Sequence, residues 1–391
     1  MKIRWPFKKL SYQHWLGINL SKLNPSAVIY SEGEISAAIS FNAEEGLAAL
    51  TEWLKENLTD GMPAVLVLDD DDYELVLTEA PNVPDAELSA AMEFRIADLL
   101  AQDINETAIQ AIRLPDDAYR GRMSMAHVIA ASNQTIEHWV EWTKKLKLNL
   151  SLITVPELCL LNLLALLEIE QGIGLLELGP KKSCLRLYQE GALYLTRQVE
   201  VGLDALELVT TSNSDEELEV ETLEVEALEI DSSEIVSDSD EELDLELSAD
   251  LEIDTETDLI IEAGIDLESA SKAEGESEND TEINIDEYVS FAGKEKVNEQ
   301  QLQNLILDVQ RSLDYYESQL GMGQITRLWL MSGDEELAEL VEIIAPRLSA
   351  RIEQPNIGAM LKEMNFQLGH GDQGLNSSAI AIGGAAAHAG R

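Results

Sequence analysis

The acidic segment 212–290 limits the possible folds more than any other feature of the sequence. It contains 31 Asp or Glu residues and one basic residue, Lys272. Acidic and aliphatic residues alternate in it as they do along a strand, yet charge repulsion and few aromatic residues leave too little surface to bury. We therefore predict a long disordered acidic insertion over residues 212–296. Its role is open between a docking tail for a basic partner and an insertion that a surface loop tolerates at little entropic cost.

The overall charge excludes one large class of partners. The formal net charge is −49, from 75 acidic and 26 basic side chains. Proteins that bind nucleic acid need clustered Lys and Arg to replace counterions along the phosphates, and no stretch of this sequence supplies such a cluster. We expect no nucleic acid partner. The two cysteines, Cys159 and Cys184, lie in apolar runs without metal-site spacing, so we expect buried, reduced thiols.

The apolar segments are short, which bears on where the protein resides. None approaches the roughly 20 residues that cross a bilayer, and the N-terminus lacks an apolar signal segment, so we expect a cytoplasmic protein. A basic tail, residues 1–11, mixes positive with apolar side chains: Lys2, Arg4, Trp5, Phe7, Lys8, Lys9 and Leu10. Such a mix suits peripheral association with an anionic leaflet, and a frayed terminus is the alternative that the composition leaves open.

Outside the acidic segment, predicted strands and helices alternate, which is typical of an α/β fold. Residues 12–60 begin with three short strands and continue into a helix: Leu16–Leu20, Ala27–Tyr30, Glu34–Phe41 and Ala43–Leu58. Residues 156–211 begin with a helix and then repeat the strand triplet: Gly174–Leu178, Cys184–Gln189 and Ala192–Val199. The chain thus contains two halves that each include a three-strand meander.

Residues 61–155 are predicted to form a small α+β module inserted into the first half. Within it we predict a hairpin of Ala64–Leu68 and Tyr73–Thr78 across an acidic turn, and a helix with Asp85 as its N-cap. Residues 297–391 continue the second half with a long helix, Asn298–Gln319, a strand and a closing Ala-rich helix.

Four segments carry a resemblance to a known family: Leu16-Gly17-Ile18-Asn19-Leu20, Val83-Pro84-Asp85-Ala86-Glu87-Leu88, Leu175-Leu176-Glu177-Leu178-Gly179 and Gln310-Arg311-Ser312-Leu313-Asp314-Tyr315-Tyr316-Glu317-Ser318-Gln319. In these the chain resembles the MshI family of MSHA-pilus biogenesis proteins, which is similar to PilM and to the cytoplasmic part of GspL. The resemblance covers most of residues 12–200 and 297–391. It implies an actin-like, ribonuclease-H-like, two-lobed α/β fold with an inserted small β-rich module.

Actin-like proteins hold ATP and Mg²⁺ between two hairpins and a Gly-rich turn, so the resemblance implies a set of cofactor-binding positions: Gly17, Asn19, Glu177, Gly179, Ser183, Ser332 and Gly333. Asn19 stands where the family pattern has an aspartate, and the charge that would hold magnesium or its waters is lost there. Pro180 removes one N–H donor beside Gly179. Lys181 and Lys182 are either phosphate contacts or solvated side chains.

We therefore expect no ATP hydrolysis, because turnover needs a metal ligand and a positioned water, while ATP binding stays open. The sequence has no GxxxxGK[ST], HExxH or GxSxG motif, and its five histidines show no ligand spacing, so we predict no catalytic residues and no metal site.

The function that the resemblance implies is a non-catalytic cytoplasmic scaffold at the inner face of the bacterial inner membrane, in the assembly platform of a type IV, MSHA-like pilus. Its implied partner is a bitopic PilN-like or MshJ-like membrane protein, whose cytoplasmic tail would dock beside the module 61–155. The pilus motor ATPase is a second implied partner. Two alternatives stay open: a nucleotide-binding or weakly ATP-hydrolysing actin-like protein that uses Asn19, Glu177 and Ser332, and a filament-forming protein.

Overall fold

The computed structural model of the chain describes residues 14–22, 25–41, 46–59, 61–206, 298–333, 337–369 and 374–387. The predicted basic tail and the predicted disordered acidic insertion lie outside these residues. The described part contains a six-stranded sheet, a five-stranded sheet and a separate three-stranded sheet. We call the part built on the six-stranded sheet the first lobe and the part built on the five-stranded sheet the second lobe.

The first lobe is built on strands in the order β14-β3-β2-β1-β4-β8. Their bounds are β1 His14–Asn19, β2 Ser26–Ser31, β3 Glu34–Ser40, β4 Pro63–Val67, β8 Asn149–Thr154 and β14 Gln367–Leu368. The predicted meander β1–β3 is antiparallel, and β1, β4 and β8 run parallel. All five residues of β4 are buried, as expected of a parallel strand covered on both faces.

The second lobe repeats this plan in the order β11-β10-β9-β12-β13. Its strands are β9 Ile173–Leu178, β10 Ser183–Gln189, β11 Ala192–Val199, β12 Arg327–Met331 and β13 Arg351–Glu353. The second predicted meander is present as β9–β11, and β12 runs parallel to β9. The two halves of the sequence therefore form two similar sheets.

Two helices, α4 (Pro156–Leu166) and α9 (Ala379–Ala386), pack against each other between the two sheets. Their close approach depends on glycine: a Cβ at Gly383 would overlap the Cys159 carbonyl group of α4. A Cβ at Gly17 would overlap the Ala381 carbonyl oxygen of α9. Gly17 thus serves the contact between β1 and α9.

The other helices are α1 Gly46–Asn57, α2 Asp85–Ile96, α3 Asn133–Lys145, α5 Leu203–Leu206, α6 Glu299–Ser318, α7 Ala338–Ile344 and α8 Ile357–Glu363. Apolar residues of α1 and α3 cover the outer face of the first sheet, and those of α6 cover the outer face of the second. None of the helices in the described ranges is long and apolar enough to span a bilayer.

The three-stranded sheet contains one strand of the predicted hairpin but not the other. Its strands, in the order β5-β7-β6, are β5 Glu74–Glu79, β6 Thr107–Arg113 and β7 Met125–Ser132. The predicted pairing of Ala64–Leu68 with Tyr73–Thr78 is wrong, because β4 pairs with β1 and β8 whereas β5 pairs with β7. The wholly apolar β4 fits the buried middle of the large sheet, and the acidic turn carries the chain to another sheet. The range 61–155 thus includes two strands of the first lobe.

The predicted N-cap of α2 is also wrong. The helix begins at Asp85, and the preceding Pro84 occupies the cap position without a capping side chain. The Asp85 carboxylate instead accepts a hydrogen bond from the Arg113 side chain of β6, at 3.0 Å. Proline holds the entering chain at φ −58°, which suits a helix start, so no side-chain cap is needed here.

Candidate functional site

The candidate site is the cleft at which three turns meet. One follows β1, the second joins β9 to β10, and the third is the acidic turn after β4, where residues Asp70–Asp72 form a short 3-10 helix. Side-chain contacts join the acidic turn to both hairpins. The family resemblance implies that the phosphates of a nucleotide would lie between these two hairpins.

A fully buried arginine lies at the base of this cleft. The Arg186 guanidinium donates to Glu157 Oε1 at 3.0 Å, to Glu177 Oε2 at 2.6 Å and to Asp70 Oδ1 at 3.2 Å. The carboxylates come from α4, β9 and the acidic turn, so one cation joins residues of both lobes. The hydroxyl of Tyr73 lies 2.7 Å from Glu157 and 3.0 Å from Asp70. We call these five residues the Arg186 cluster.

The Arg186 cluster contains more negative than positive charge. Three carboxylates share one guanidinium, and burial raises the pKa of Glu177 despite its contact with Arg186. Burial likewise raises the pKa of Tyr73 well above its usual value, so its hydroxyl remains a proton donor to the carboxylates. A further anion would be repelled at this position unless the cluster rearranged.

The acidic turn binds donors from both hairpins. Asp69 accepts a hydrogen bond from the Lys22 backbone N–H at 2.8 Å. Asp71 pairs with Lys182 at 2.8 Å and with Lys22 at 3.2 Å. Hydrogen bonds from these two lysines lower the pKa of Asp71. Carboxylates of the chain itself therefore occupy the cationic and N–H donors that would otherwise face a phosphate.

The second hairpin is folded onto the segment that follows β11. The carbonyls of Gly179 and Pro180 accept hydrogen bonds from the N–H groups of Leu203 and Asp204, both at 2.8 Å. The Ser183 hydroxyl is buried and donates to the Val201 carbonyl at 2.6 Å. Two carbonyls and one hydroxyl of this loop are thus hydrogen-bonded within the protein.

The predicted cofactor positions lie on three segments of the structure. Glu177, Gly179 and Ser183 lie on one hairpin, and Ser332 follows β12, which pairs with β9 up to Glu177. Asn19 is buried at the end of β1, where its Oδ1 accepts from the Ser21 N–H at 3.3 Å.

Two predicted positions are glycines. Gly17 packs on α9, and Gly333 adopts a left-handed conformation at φ 49°. The cofactor-binding role of the whole set stays a prediction. Within the described ranges, no group of three His, Cys, Asp or Glu residues is arranged to hold a metal ion.

Sequence reasoning missed most of the Arg186 cluster. A charged residue inside the apolar strand Ser183–Gln189 was the available signal, because a buried arginine needs carboxylate partners. Glu157, which follows a proline at the start of the apolar helix α4, was a second signal. Neither indicated its partner: Arg186 is 29 residues from Glu157 and 116 from Asp70 along the chain.

Comparisons with known proteins address the fold. No family model matches the sequence, and no curated protein matches it significantly. Among solved structures, the chain is similar to one titled "PilM-PilN type IV pilus biogenesis complex", with a TM-score of 0.59 and 16% identity over 98% of this chain and 100% of that chain. The chain shares the fold of that structure, and it has the two similar sheets that the actin-like fold class predicts. The predicted fold class is therefore confirmed, while the resemblance to the MshI family stays a prediction.

Two further solved structures are similar over about half of this actin-like chain. The cytoplasmic domain of EpsL, an inner-membrane component of the type II secretion system of Vibrio cholerae, has a TM-score of 0.36 and 16% identity over 52% of this chain and 78% of that chain. A Bacteroides thetaiotaomicron protein with an actin-like ATPase fold and unknown function has a TM-score of 0.31 and 10% identity over 49% and 71%.

Proposed function

We propose that this protein is a non-catalytic component of the cytoplasmic assembly platform of a type IV, MSHA-like pilus, at the inner face of the bacterial inner membrane. The observation that carries the proposal is the Arg186 cluster together with the acidic turn, which fills the cleft with the protein's own charges. The similarity to the structure of a PilM–PilN complex and the resemblance to the MshI family supply the biological setting.

The charged residues of the cleft are unfavourable for nucleotide hydrolysis. Phosphoryl transfer requires a bound metal and cationic groups that stabilise the charge on the phosphates. In this cleft Lys22 and Lys182 are paired with Asp71, and Glu177 is held by Arg186. A triphosphate would have to displace Asp71 and then lie beside the excess negative charge of the Arg186 cluster. We therefore propose that the protein has no ATPase activity and does not depend on ATP and Mg²⁺ for its role.

The partner that we propose is the cytoplasmic tail of a bitopic PilN-like or MshJ-like inner-membrane protein. An extended tail can bind by adding a strand to an open sheet edge. Among the described residues, β5 and β8 each pair on one side only. Leu75 of β5 and Leu152 of β8 pack against the same core cluster, so both strands adjoin the junction of the small sheet with the lobes. The pilus motor ATPase is a further partner that the family resemblance alone suggests.

The test is binding of a synthetic peptide with the cytoplasmic sequence of the organism's own PilN-like protein, measured by calorimetry with and without millimolar MgATP. We expect saturable binding that MgATP does not change. Two matched control peptides keep the sequence but carry N-methyl groups on odd or on even backbone amides. One of them should bind much more weakly, because a methylated amide cannot donate to a sheet edge. Equal binding of all three peptides would contradict strand addition, and no binding would remove the proposed partner.

One observation favours the alternative of a nucleotide-binding protein. Lys182 lies on the second hairpin within 2.8 Å of Asp71, where a phosphate that displaced this carboxylate would meet an ammonium group. A ligand that binds the folded state raises its melting temperature by mass action. A clear thermal shift with millimolar MgATP, together with phosphate release, would replace the scaffold proposal by this alternative.

A further inference from the structure

The three-stranded sheet is joined to the first lobe by two short connections. The chain leaves β4 at Val67 and enters β5 at Glu74, and it passes from the end of β7 directly into α3. The sheet meets the second lobe differently, by packing. Leu77 and Met125 of one sheet face lie against the core of the second lobe. So does the loop between β6 and β7, residues 114–124, which we call the latch loop.

The latch loop docks on the second lobe through both apolar and polar contacts. Leu114 and Ala118 are buried within the core cluster of the second lobe, and only 1% of Ala118 is exposed. The Tyr119 hydroxyl lies 2.9 Å from the hydroxyl of Tyr315, near the end of α6. The loop therefore connects the three-stranded sheet to a lobe with which that sheet shares no strand pairing among the described residues.

Arg120 of the latch loop fits against a glycine of the second lobe. Its guanidinium donates to the Ser318 carbonyl at 3.4 Å. Its side chain lies over Gly321, which adopts φ 72°, and a Cβ at that glycine would overlap Arg120 Cγ. The seat of the arginine thus depends on the missing side chain of Gly321.

The latch loop carries backbone strain at the point of contact. Tyr119 and Arg120 are consecutive and both adopt left-handed conformations, at φ 54° and 56°. Bulky residues rarely adopt such angles, and they keep them only where the surrounding structure holds them. Here the holding contacts come from another lobe, so the strain is released when those contacts break.

An unpartnered histidine lies at the same interface. His127 of β7 is 3% exposed and faces the backbone of Leu193 and Tyr194 in β11, yet neither ring nitrogen has a hydrogen-bond partner among the described residues. The Tyr194 hydroxyl donates to Asp117 of the latch loop at 3.4 Å, so the imidazole and the loop belong to one contact. A buried polar group without a partner is unfavourable, and hydration removes this cost when the contact opens.

We propose that the latch loop is a reversible catch, which opens while both lobes stay folded and frees the three-stranded sheet from the second lobe. The inference is independent of the proposed function. The strained loop and the unpartnered imidazole both favour the open state, so opening requires less free energy than unfolding of the whole body. The Arg186 cluster can stay intact, because all five of its residues lie outside the range 74–132.

The test is thiol labelling of the full chain carrying Ala118→Cys. The native Cys159 and Cys184 are buried and report global unfolding in the same molecule. We expect the introduced thiol to react at least about tenfold faster than Cys184, because local opening is more frequent than global unfolding. Hydrogen exchange of the natural sequence is the second measurement and excludes loosening by the added sulfur. Amides of the latch loop should exchange faster than those of β9 and β10.

Gly321→Ala is the variant that should open the latch loop. The added methyl group displaces Arg120, and alanine is strained at positive φ, so labelling at position 118 should become about tenfold faster or more. Gly33→Ala is the matched control, since Gly33 adopts φ 80° and no described atom lies within 4 Å of the Cβ it would carry. It strains the backbone away from the latch loop and should change this rate less than about twofold.

His127→Leu should act in the opposite direction, because leucine needs no hydrogen-bond partner in the closed contact. We expect labelling at position 118 and exchange of the latch loop to become about fivefold slower or more. Three results would each overturn the proposal: an introduced thiol that reacts no faster than Cys184, equal effects of Gly321→Ala and Gly33→Ala, or an opening rate that His127→Leu leaves unchanged or increases.

Discussion

Replacing Arg186 by Met tests whether the buried cation holds the cleft together. The substitution keeps an unbranched side chain of similar reach but removes the charge shared by three carboxylates. Removing one partner of a buried ion pair costs about 3–5 kcal/mol, because the other charge stays buried without compensation. Glu157 is buried, with its side chain 4% exposed, whereas those of Glu177 and Asp70 are 34% and 33% exposed and water reaches them. We therefore expect the lower part of this range, about 3 kcal/mol.

The assay is urea unfolding at pH 7.5, with the midpoint and slope compared between parent and variant. A loss of about 3 kcal/mol corresponds to a melting temperature lower by roughly 5 °C in a body of this size. Arg197→Met is the matched control, because Arg197 lies on the neighbouring strand and its ion pair with Asp308 is long, at 3.9 Å, and exposed. We expect the control to lose less than about 1 kcal/mol. A similar small loss for Arg186→Met would refute the reasoning.

The pH dependence gives an independent readout of the same prediction. Partial burial already holds the pKa of Glu177 above its usual value, and loss of the cation should raise it further. A carboxyl group whose pKa is higher in the folded than in the unfolded state takes up its proton preferentially when folded. The difference in free energy of unfolding between the parent and Arg186→Met should therefore become smaller as the pH falls from 7.5 towards 5. A difference in free energy of unfolding that does not change with pH would indicate lost packing and not uncompensated charge.

Four further predictions concern other parts of the fold. Lys182→Gln should change stability by less than about 1 kcal/mol, because its pair with Asp71 is exposed, and a larger loss in urea unfolding would contradict this. Gly383→Ala should lower the melting temperature strongly, because the methyl group would overlap α4; an unchanged temperature would show that the two helices can separate. Cys184, whose pKa burial raises to about 12, should react with a thiol reagent only after unfolding, and labelling of the native protein would refute its burial. Burial lowers the pKa of His127 to about 4, so this histidine should lower the free energy of unfolding by up to about 3 kcal/mol as the pH falls from 6.5 towards 4. The variant His127→Leu should lose correspondingly less stability over the same pH range.

Local sequence patterns identified the strands of both meanders but not their partners. Strands β1–β3 and β9–β11 are short apolar runs joined by turns, so each could be recognised within its own segment. The pairing of β4 was not local: a short acidic turn separates it from β5, yet the two strands belong to different sheets. Register between distant strands depends on the packing of the whole sheet, which no neighbouring residue encodes.

The same limit applied to the candidate site. The family resemblance pointed to Glu177 and Gly179 because these lie in one contiguous motif. The ion partner of Glu177, Arg186, lies nine residues away on the neighbouring strand β10. The other two carboxylates, Glu157 and Asp70, are 29 and 116 residues from Arg186, and Asp70 meets it only when both lobes are assembled. A single buried arginine in a strand predicts that acidic partners exist, but the sequence contains 75 acidic residues from which to choose. The sequence was sufficient to predict the fold class, but only the folded structure shows which residues form the Arg186 cluster.

The Arg186 cluster also bears on how such a two-lobed protein can remain closed. A bound nucleotide stabilises a closed cleft by an amount that grows with its concentration and vanishes in its absence. An intramolecular cluster that joins Asp70 of the first lobe to Glu177 and Arg186 of the second has no such dependence. Under the proposed function this property is useful, because a platform component should present the same docking edge at any nucleotide level. Loosening the lobes by Arg186→Met should then weaken binding of the tail peptide, even under conditions in which the variant is fully folded.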